Sequence, residues 1–389
     1  MNLNHYILIP GTFYMWTLFL SVGYMLSGEL VLNSENIVLL MLRYLSALMM
    51  VVTFVNALQK YNPREKIFIL LVLLLSLVVG LINGRYYEML ATCALVVGAK
   101  GEKFDNILKC FFTVGSFVCI SMIMFAKLGI VKDTVALGER EDLLSESIAR
   151  HSFGYAWPTD LATHVFFILF ALWMLRKGRL NIIMSIAYIA ISYFIIAYTG
   201  SRLGAGCILL LVVSSIFFLF CRQKKKKISI FYWLSIIWVP LLAGTIFILT
   251  IYYDSSEINW VVFDTLLSGR LHISQETIID NGIYLFGNEL EMYGGDSLSS
   301  YYNFIDSSYL QLFVLYGILY TVFFLMLFVG VSYKAYLRSD RVFLVGMLIA
   351  GLSGVIAQHF LQIYMNPLLI ALTASHSNIY TQIQQEKEE

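Results

Sequence analysis

Apolar segments, each about as long as a membrane-spanning helix, follow one another along almost the whole chain, and mostly short polar loops join them. A helix needs about 20 mostly apolar residues to cross a bilayer. With 59% hydrophobic and 13% charged residues, the composition excludes a soluble globular protein. We therefore expect an all-α polytopic membrane protein, with residues 1–389 forming a single integral membrane domain.

Twelve spans are predicted, and the fourth and the last are the shortest. They lie near residues 6–26, 37–58, 67–83, 86–99, 107–130, 157–175, 180–197, 203–221, 229–252, 308–330, 342–361 and 363–376. The last contains Asn366 and Pro367, which favour a broken or re-entrant segment. Two longer loops, residues 131–157 and 254–307, interrupt the pattern, and the second precedes the last helices. Inside the second loop, Trp260–Ile279 predicts one amphipathic helix on the membrane surface.

Basic side chains divide unevenly between alternate loops, and this division predicts the orientation of the chain. Of the 26 Lys and Arg residues, 18 fall in one set of loops, which we expect in the cytoplasm together with both termini. The net charge of +1 argues against nucleic acid as a partner. The remaining eight basic residues belong to the opposite, external side. They are Arg43, Arg85, Lys127, Lys132, Arg140, Arg150, Arg202 and Arg270.

Six of these eight residues are arginine, whose planar, permanently charged fork suits bidentate contact with phosphate. We therefore expect an anionic ligand at the outer membrane face. Arg202, in the stretch YTGSRLGAG, is the strongest candidate, because a charge at membrane depth is costly unless it is paired or solvated. Arg270 and Arg150 follow, with Arg43 and Arg85 as further substrate-binding candidates. For each, the alternative is an interfacial or solvated charge that binds no ligand.

An acid–base group is sought among the carboxylates and histidines of the external loops. Asp306, in the stretch IDSSYLQ, lies where the long loop returns to the membrane. It could act as a general base or cap the following helix. His272, two residues from Arg270, is a helper candidate. Neither a metal-binding spacing nor a nucleotide-binding motif occurs, so we expect neither a metal nor a cofactor.

Four short stretches resemble those of Wzy-type polysaccharide polymerases, within the O-antigen polymerase and ligase superfamily. They are TGSRLG (Thr199–Gly204), the pattern RxSxGxxxP (Arg150–Pro158), LFG (Leu285–Gly287) and DSSYLQLFVLYG (Asp306–Gly317). The resemblance covers the whole length in topology and implies a GT-C-like arrangement of about twelve helices. Many ligase-type relatives carry a His-Asn pair where this chain has Asp306 and Ser307, which favours a polymerase.

The resemblance implies a metal-independent glycosyltransferase at the outer face of the bacterial cytoplasmic membrane. Such an enzyme polymerises undecaprenyl-diphosphate-linked oligosaccharide repeat units in capsule, exopolysaccharide or O-antigen synthesis. The implied partners are the lipid-linked oligosaccharides, membrane lipid, and a flippase and a chain-length regulator of the same pathway.

Roles for the candidate residues follow from that reaction. Arg202 and Arg270, together with Arg150, would stabilise the charge of the leaving diphosphate. Asp306, with His272 as the alternative, would orient or deprotonate the acceptor hydroxyl. Tyrosines of the long loop and its re-entry point would offer rings and hydroxyls to sugars. They are Tyr293, Tyr301, Tyr302 and Tyr309.

Two other classes of protein stay open. A flippase or transporter for lipid-linked sugars would have a similar composition. It should also show a two-fold pseudo-repeat with charged residues in both halves, which is not visible in the sequence. An O-antigen-ligase-like transferase would carry out related chemistry on a different acceptor.

Overall fold

A computed structural model describes residues 6–28, 37–137, 149–220, 230–267, 269–292 and 304–376. Within these residues, eight helices are long and apolar enough to cross a membrane. The prediction of a helical, multi-pass membrane protein is therefore confirmed. The α-helices are α1 (Phe13–Gly28), α2 (Ile37–Leu58), α3 (Pro63–Ile82), α4 (Tyr86–Gly98), α5 (Phe104–Lys127), α6 (Pro158–Leu175), α7 (Ile182–Thr199), α8 (Arg202–Phe220), α9 (Ile230–Ile251), α10 (Ile258–Leu266), α11 (Arg270–Asn281), α12 (Ser308–Gln311), α13 (Gly317–Leu337) and α14 (Arg341–Ser353).

Local sequence determines where several of these helices begin. α3 starts with Pro63. The side chain of Asn62 accepts from the backbone N–H of Glu65 at 2.9 Å, and the carboxylate of Glu65 accepts from the backbone N–H of Asn62 at 3.0 Å. α6 also starts with a proline, and the carboxylate of Asp160 accepts from the backbone N–H of Trp157 at 3.0 Å. Proline suits the first position because its missing N–H has no helical carbonyl to bind there.

Lysines gather at one end of the bundle, which we call the lysine-rich end and define by Lys60, Lys100, Lys103, Lys177 and Lys334. The amine of Lys60 donates to the carbonyl of Lys100 at 3.0 Å, and Lys103 forms a backbone bridge with Ser375. Asp105, Lys177, Asp340 and His376 line one small pocket there. The start of α5, the end of α6 and the start of α14 therefore share this end.

Burial separates a central helix from peripheral ones. In the apolar stretch of α6, 72% of the residues are buried. The corresponding share is 17% in α2 and 22% in α3. The tightest part of the core surrounds α6, where Phe166, Phe170 and Trp173 are fully buried. α2 and α3 instead leave most of their apolar surface facing outward, as lipid-exposed helices do.

The long loop differs from its prediction in one respect. The expected single helix over Trp260–Ile279 is wrong, because the segment forms two helices, α10 and α11, that break at Gly269. Gly269 has φ +74°, a left-handed conformation that ends a regular helix. The carboxylate of Asp264 accepts from the backbone N–H of Leu271 at 2.8 Å, so the turn between the helices is hydrogen-bonded.

The last two predicted spans form one excursion that starts and ends at the lysine-rich end. α14 leaves that end, and the chain returns to it at Ser375, whose N–H donates to the carbonyl of Glu102 at 2.8 Å. The return path is not α-helical but contains two 3-10 turns, Gln358–Phe360 and Pro367–Leu372. Pro367 cannot continue a helix, and Asn366 bonds the local backbone instead, accepting from Leu368 N–H at 3.1 Å.

Protein atoms surround this irregular return path. Most of its apolar side chains are buried, among them Phe360, Ile363, Tyr364, Met365, Leu368, Leu369, Ile370 and Ala371. Non-helical backbone at membrane depth is tolerated where protein surrounds it, because its polar groups then find partners. The predicted twelfth helix is thus replaced by a buried, broken segment, the re-entrant alternative that Asn366 and Pro367 favoured.

Candidate functional site

A cavity of about 720 Å³ lies at the end of the bundle opposite the lysine-rich end, among the starts of α6, α8 and α11 and the end of α14. Arg150, Arg202, Arg270 and Asp306 all line it. The three arginines that ranked highest in the sequence and the leading acid–base candidate therefore share one site. Its volume lies within the range of pockets that hold small ligands.

The cavity continues from its charged part into an apolar lane along α8. Beyond Arg202, its lining includes Leu209, Leu210 and Val213. The eleven-residue advance from Arg202 to Val213 corresponds to about 16 Å along a helix. Val213 is 60% exposed on the outer surface of the bundle, so the lane reaches a surface that lipid would cover. A ligand with an anionic head and an apolar tail would match both parts.

Arg270 and Asp306 form an ion pair within the cavity. The Nε of Arg270 lies 3.2 Å from Oδ2 of Asp306, and the two side chains are 16% and 18% exposed. The N-cap of α12 is Ser307. The alternative prediction, that Asp306 caps this helix, is therefore wrong. Asp306 lies just before the helix and faces the cavity with its carboxylate held by Arg270.

Arg270 is placed by a carboxylate on the preceding helix. Asp264 is 5% exposed and accepts from the N–H groups of Leu271 at 2.8 Å and His272 at 3.4 Å. A carboxylate at the start of a helix satisfies N–H groups that lack helical partners. The first turn of α11, which carries Arg270, is therefore tied to α10.

Arg150 reaches the cavity from a short hairpin. Strands β1 (Val135–Leu137) and β2 (Ala149–His151) pair antiparallel, a feature that the all-helical prediction omitted. The Nε of Arg150 donates to the carbonyl of Thr199 at 2.8 Å, at the carbonyl-bearing end of α7. The carboxylate of Asp133 fixes the end of β2 and the residues after it. It accepts from His151 Nδ1 at 2.7 Å and from the N–H of Phe153 at 2.7 Å.

Gly200 is required between α7 and α8 for two reasons. It ends α7 in the left-handed conformation at φ +65°, which glycine adopts without the steric cost that other residues incur. A Cβ at this position would also lie 3.0 Å from the Nε of Arg150. Gly200, the first glycine of TGSRLG, therefore allows the Arg150 side chain to lie against the turn that carries Arg202.

Arg202 is the first residue of α8 and is exposed to the cavity. The N–H groups of a helix's first turn have no helical carbonyl to bind, and the helix dipole is positive there. A cation at this position is unfavourable for the isolated helix, whereas an anion beside it would be stabilised by both the side chain and the helix end.

The stretch that follows Asp306 is bonded to the end of α14, which lines the cavity. Ser307, Ser308 and Tyr309 donate through their hydroxyls to the carbonyls at the end of α14 and just beyond it. These bonds run to Gly354 at 3.3 Å, Ala357 at 2.5 Å and Gly351 at 2.6 Å, respectively. Carbonyls at a helix end need such partners when they are buried. The DSSY stretch thereby closes the broken end of α14 and places Asp306 beside it.

The chain matches no known family model, no curated protein and no solved structure. The stretches quoted above nevertheless have definite places. TGSRLG joins α7 to α8, and RxSxGxxxP runs from β2 into α6, so both border the cavity. LFG meets the end of DSSYLQLFVLYG, because a Cβ at Gly287 would overlap the carbonyl of Leu315 and one at Gly317 would overlap the N–H of Gly287.

The remaining candidates lie away from this cavity. Arg43 stacks over the ring of Tyr87, with its Cζ 5.5 Å from the ring centroid. Arg85 lines a second, smaller pocket with Glu88 and Tyr316. His272 is half exposed, and its Nε2 lies 3.2 Å from Oε1 of Glu276. None of the three is among the residues that line the arginine cavity within the described part of the chain.

Tyr309 is fully buried, and its hydroxyl already donates to Gly351. Its ring therefore presents no face to a sugar, and it is not among the residues that line the cavity. The other three tyrosines named with it, Tyr293, Tyr301 and Tyr302, lie outside the described residues, as does Arg140.

A buried contact between a histidine and an aspartate lies beside the cavity and is not predicted by the sequence. The Nε2 of His359 lies 3.2 Å from Oδ1 of Asp160, and the two side chains are 2% and 3% exposed. Thr159 and Ala357, one and two residues away along the chain, line the cavity itself. An ionisable pair at membrane depth is costly and usually functional or structural in a specific way. The sequence gives no signal for it, because 199 residues separate its members.

In formal charge, three arginines and one carboxylate make the cavity cationic. Among the described residues, no three His, Cys, Asp or Glu side chains come together as a metal site would require. The arrangement can bind a multiply charged anion through several guanidinium groups, with a carboxylate close enough to accept a proton from a neighbouring hydroxyl.

Proposed function

We propose that this protein is a Wzy-type polymerase of undecaprenyl-diphosphate-linked oligosaccharide repeat units. The observation that carries the proposal is the single cavity that Arg150, Arg202, Arg270 and Asp306 all line, continued by an apolar lane along α8. The arginines match a diphosphate, and the lane matches the beginning of a polyprenyl tail. The resemblance of the four short stretches supports the same function.

The reaction is a substitution at the anomeric carbon of the donor glycan. The acceptor hydroxyl forms a bond to that carbon, while the bond from the carbon to the diphosphate oxygen breaks. The bonding pair leaves with undecaprenyl diphosphate, and the arginines stabilise its growing negative charge. The hydroxyl proton passes to the carboxylate of Asp306, which its pair with Arg270 orients toward the cavity.

The proposed location is the bacterial cytoplasmic membrane, with the cavity at the outer face. The supporting observation is the lysine-rich end, which the positive-inside rule assigns to the cytoplasm and which lies opposite the cavity. Single cysteines at Asp254 and Arg179, both exposed, test this in a cysteine-free background. An impermeant maleimide should label position 254 in intact cells and position 179 after lysis alone; the reverse pattern would exclude an external site.

The function is tested with the purified protein and a lipid-linked repeat unit as both donor and acceptor. We expect ladders of two or more repeats on lipid, released undecaprenyl diphosphate in equal number to the bonds formed, and no requirement for a nucleotide sugar. In cells, deletion of the gene should leave single repeat units on lipid. Long chains in the deletion strain would contradict the proposal.

The same assay separates the alternatives. A flippase would move the lipid-linked unit across a vesicle membrane without lengthening it. A ligase-like transferase would release the lipid diphosphate only when a different acceptor is present. Lengthening with the lipid-linked unit alone is expected of a polymerase.

A further inference from the structure

A cleft separate from the arginine cavity lies at the lysine-rich end, between α3 and α13 and against α4. It has a volume of about 470 Å³ and is lined mainly by apolar side chains, among them Phe68, Val72, Phe323 and Leu327. The rings of Phe68 and Phe323, both part of its lining, contact each other at a tilt of 53° with centroids 6.5 Å apart. α3 is also one of the least buried apolar helices, so the cleft is bordered by lipid-facing surface.

The length of the cleft matches one leaflet of a bilayer. Its lining extends along α3 from Arg64 to Ser76 and along α13 from Lys334 to Tyr320. At the helical rise per residue these stretches are about 18 and 21 Å long. Half of a typical hydrocarbon core is about 15 Å. An acyl chain that enters from the lysine-rich surface would therefore fit along the cleft to its end.

The mouth of the cleft is positively charged. Arg64 and Lys334 lie there with Glu65, whose carboxylate is 3.1 Å from the amine of Lys100. That pair neutralises Glu65 and Lys100, so the positive charges of Arg64 and Lys334 remain. The amine of Lys334 donates to the carbonyl of Leu372 at 2.8 Å and retains two further N–H donors.

We propose that this cleft binds one anionic phospholipid from the leaflet at the lysine-rich end. An acyl chain lies between α3 and α13, and the phosphate of the headgroup contacts Arg64 and Lys334. Basic side chains at a membrane surface attract anionic lipids, and the apolar cleft holds the chain in place. The site is independent of the arginine cavity and of the function proposed for it.

The bound lipid would support a part of the fold that has few other contacts. α3 packs closely against α4, whereas its contact with α13 is slight and includes the ring pair of Phe68 and Phe323. The irregular return path also borders the cleft, through Leu369, Leu372 and Thr373. A lipid in the cleft would fill the space between these elements, so its removal should lower the thermal stability of the protein.

The test uses the full-length protein, delipidated in detergent and examined by native mass spectrometry. Phosphatidylglycerol and phosphatidylcholine with identical acyl chains are added at equal concentration. We expect one tightly retained phosphatidylglycerol, preferred by about tenfold or more, since each basic residue near a membrane surface contributes to anionic lipid binding. Equal retention of the two lipids would overturn the proposal.

Variants separate this site from general attraction to lipid. The double substitution Arg64→Gln and Lys334→Gln should abolish the preference while keeping a side chain that can bond to Leu372, whereas Arg179→Gln, an exposed charge at the same end, should not. Val72→Phe fills the cleft and should reduce retention of both lipids. If Val72→Phe does not fold, the charge variants decide alone, and an unchanged preference for phosphatidylglycerol in the double variant rejects the site.

Discussion

The Nε of Arg270 lies 3.2 Å from Oδ2 of Asp306, and this pair joins two parts of the chain that the sequence separates by 36 residues. Arg270 begins α11 in the long loop, and Asp306 stands just before α12. The pair explains how a long loop and the re-entry point of the chain form one wall of a cationic cavity. It also couples the group proposed to accept a proton with one proposed to bind the diphosphate.

Because the two side chains form one unit, their substitutions should not be additive. Arg270→Ala and Asp306→Ala should each lower polymerisation by about tenfold or more, since charged hydrogen bonds contribute about 1.5–3 kcal/mol. The double variant should be little worse than the more harmful single variant. Chain length and yield, normalised to protein in the membrane fraction, provide the measurement.

The control for this comparison of single and double variants, a double-mutant cycle, is the ion pair between Lys177 and Asp105 at the lysine-rich end. Its atoms are 2.8 Å apart, but the side chains are 41% and 36% exposed, and exposed pairs contribute little. The same cycle there should leave chain length unchanged. Strictly additive losses at Arg270 and Asp306 would contradict their action as a unit.

A second prediction concerns the geometry of the arginine fork. Arg202→Lys keeps the positive charge but loses the planar bidentate contact, so it should be nearly as harmful as Arg202→Ala. We expect a loss of about tenfold or more in chain yield for either. Arg179, exposed at the other end, is the matched control and should tolerate both changes. Full activity of Arg202→Ala at normal abundance would return Arg202 to the status of an interfacial anchor.

The placement of Arg270 by Asp264 gives a third prediction. Asp264→Ala removes the carboxylate that binds the first turn of α11, and loss of such a cap costs about 0.5–2 kcal/mol. Chain yield should fall severalfold, but in a protein that already carries Arg270→Ala the Asp264→Ala substitution should add little further loss. Asp254→Asn is the control, since that exposed side chain bonds Ser256 locally. A wild-type yield in Asp264→Ala would show that α11 keeps its place without this contact.

The arginines of the cavity could be picked out from the sequence because a topological bias acts on every loop. A Lys or Arg on the disfavoured side stands out without knowledge of distant contacts, and Arg150, Arg202 and Arg270 share the cavity. Arg43 and Arg85, the lower-ranked candidates, also lie on the disfavoured side by this criterion, but the structure places them elsewhere. The bias reports the side of the membrane and not the position around the bundle, so it could not separate the two groups.

Contacts between distant segments could not be predicted. The role of Asp264 could not be predicted, because its bonds depend on the break at Gly269 within a continuous amphipathic pattern. Asp160 and His359 meet through a buried return path with no regular period. The aromatic-rich stretch around Tyr309 predicts a sugar contact, but the Tyr309 hydroxyl donates to the backbone carbonyl of Gly351 instead. Periodicity and composition carry no information on such local bonds.

A fourth prediction concerns the turn between α7 and α8. Gly200→Ala introduces a Cβ at φ +65° and 3.0 Å from the Nε of Arg150, so the turn and the arginine must both shift. A left-handed conformation costs an ordinary residue about 1–2 kcal/mol. We expect a lower apparent Tm in detergent together with a loss of chain yield. Gly244→Ala in α9, where a Cβ meets nothing within 4 Å, should leave both unchanged or raise the Tm slightly.

The last prediction concerns acid sensitivity at the lysine-rich end. Burial first, and then the positive charge of Arg338, lower the pKa of His376 from 6.5 to about 4. Its ring stacks on Phe104 with centroids 5.1 Å apart, and the pocket around it also contains Asp105, Lys177 and Asp340. Because the unfolded state binds the proton more readily, His376 favours the folded state above pH 6.5. This contribution is lost progressively as the pH falls toward 4.

The measurement is the apparent Tm of the purified protein across that window, compared with His376→Asn. Burial also raises the pKa of Asp340, which acts in the opposite direction on acidification, so the difference between the two proteins isolates the histidine. The wild type should lose more thermal stability than the variant between pH 6.5 and 4, and the two profiles should run parallel above pH 7. Parallel profiles over the whole range would show that protonation of His376 does not destabilise the end of the return path.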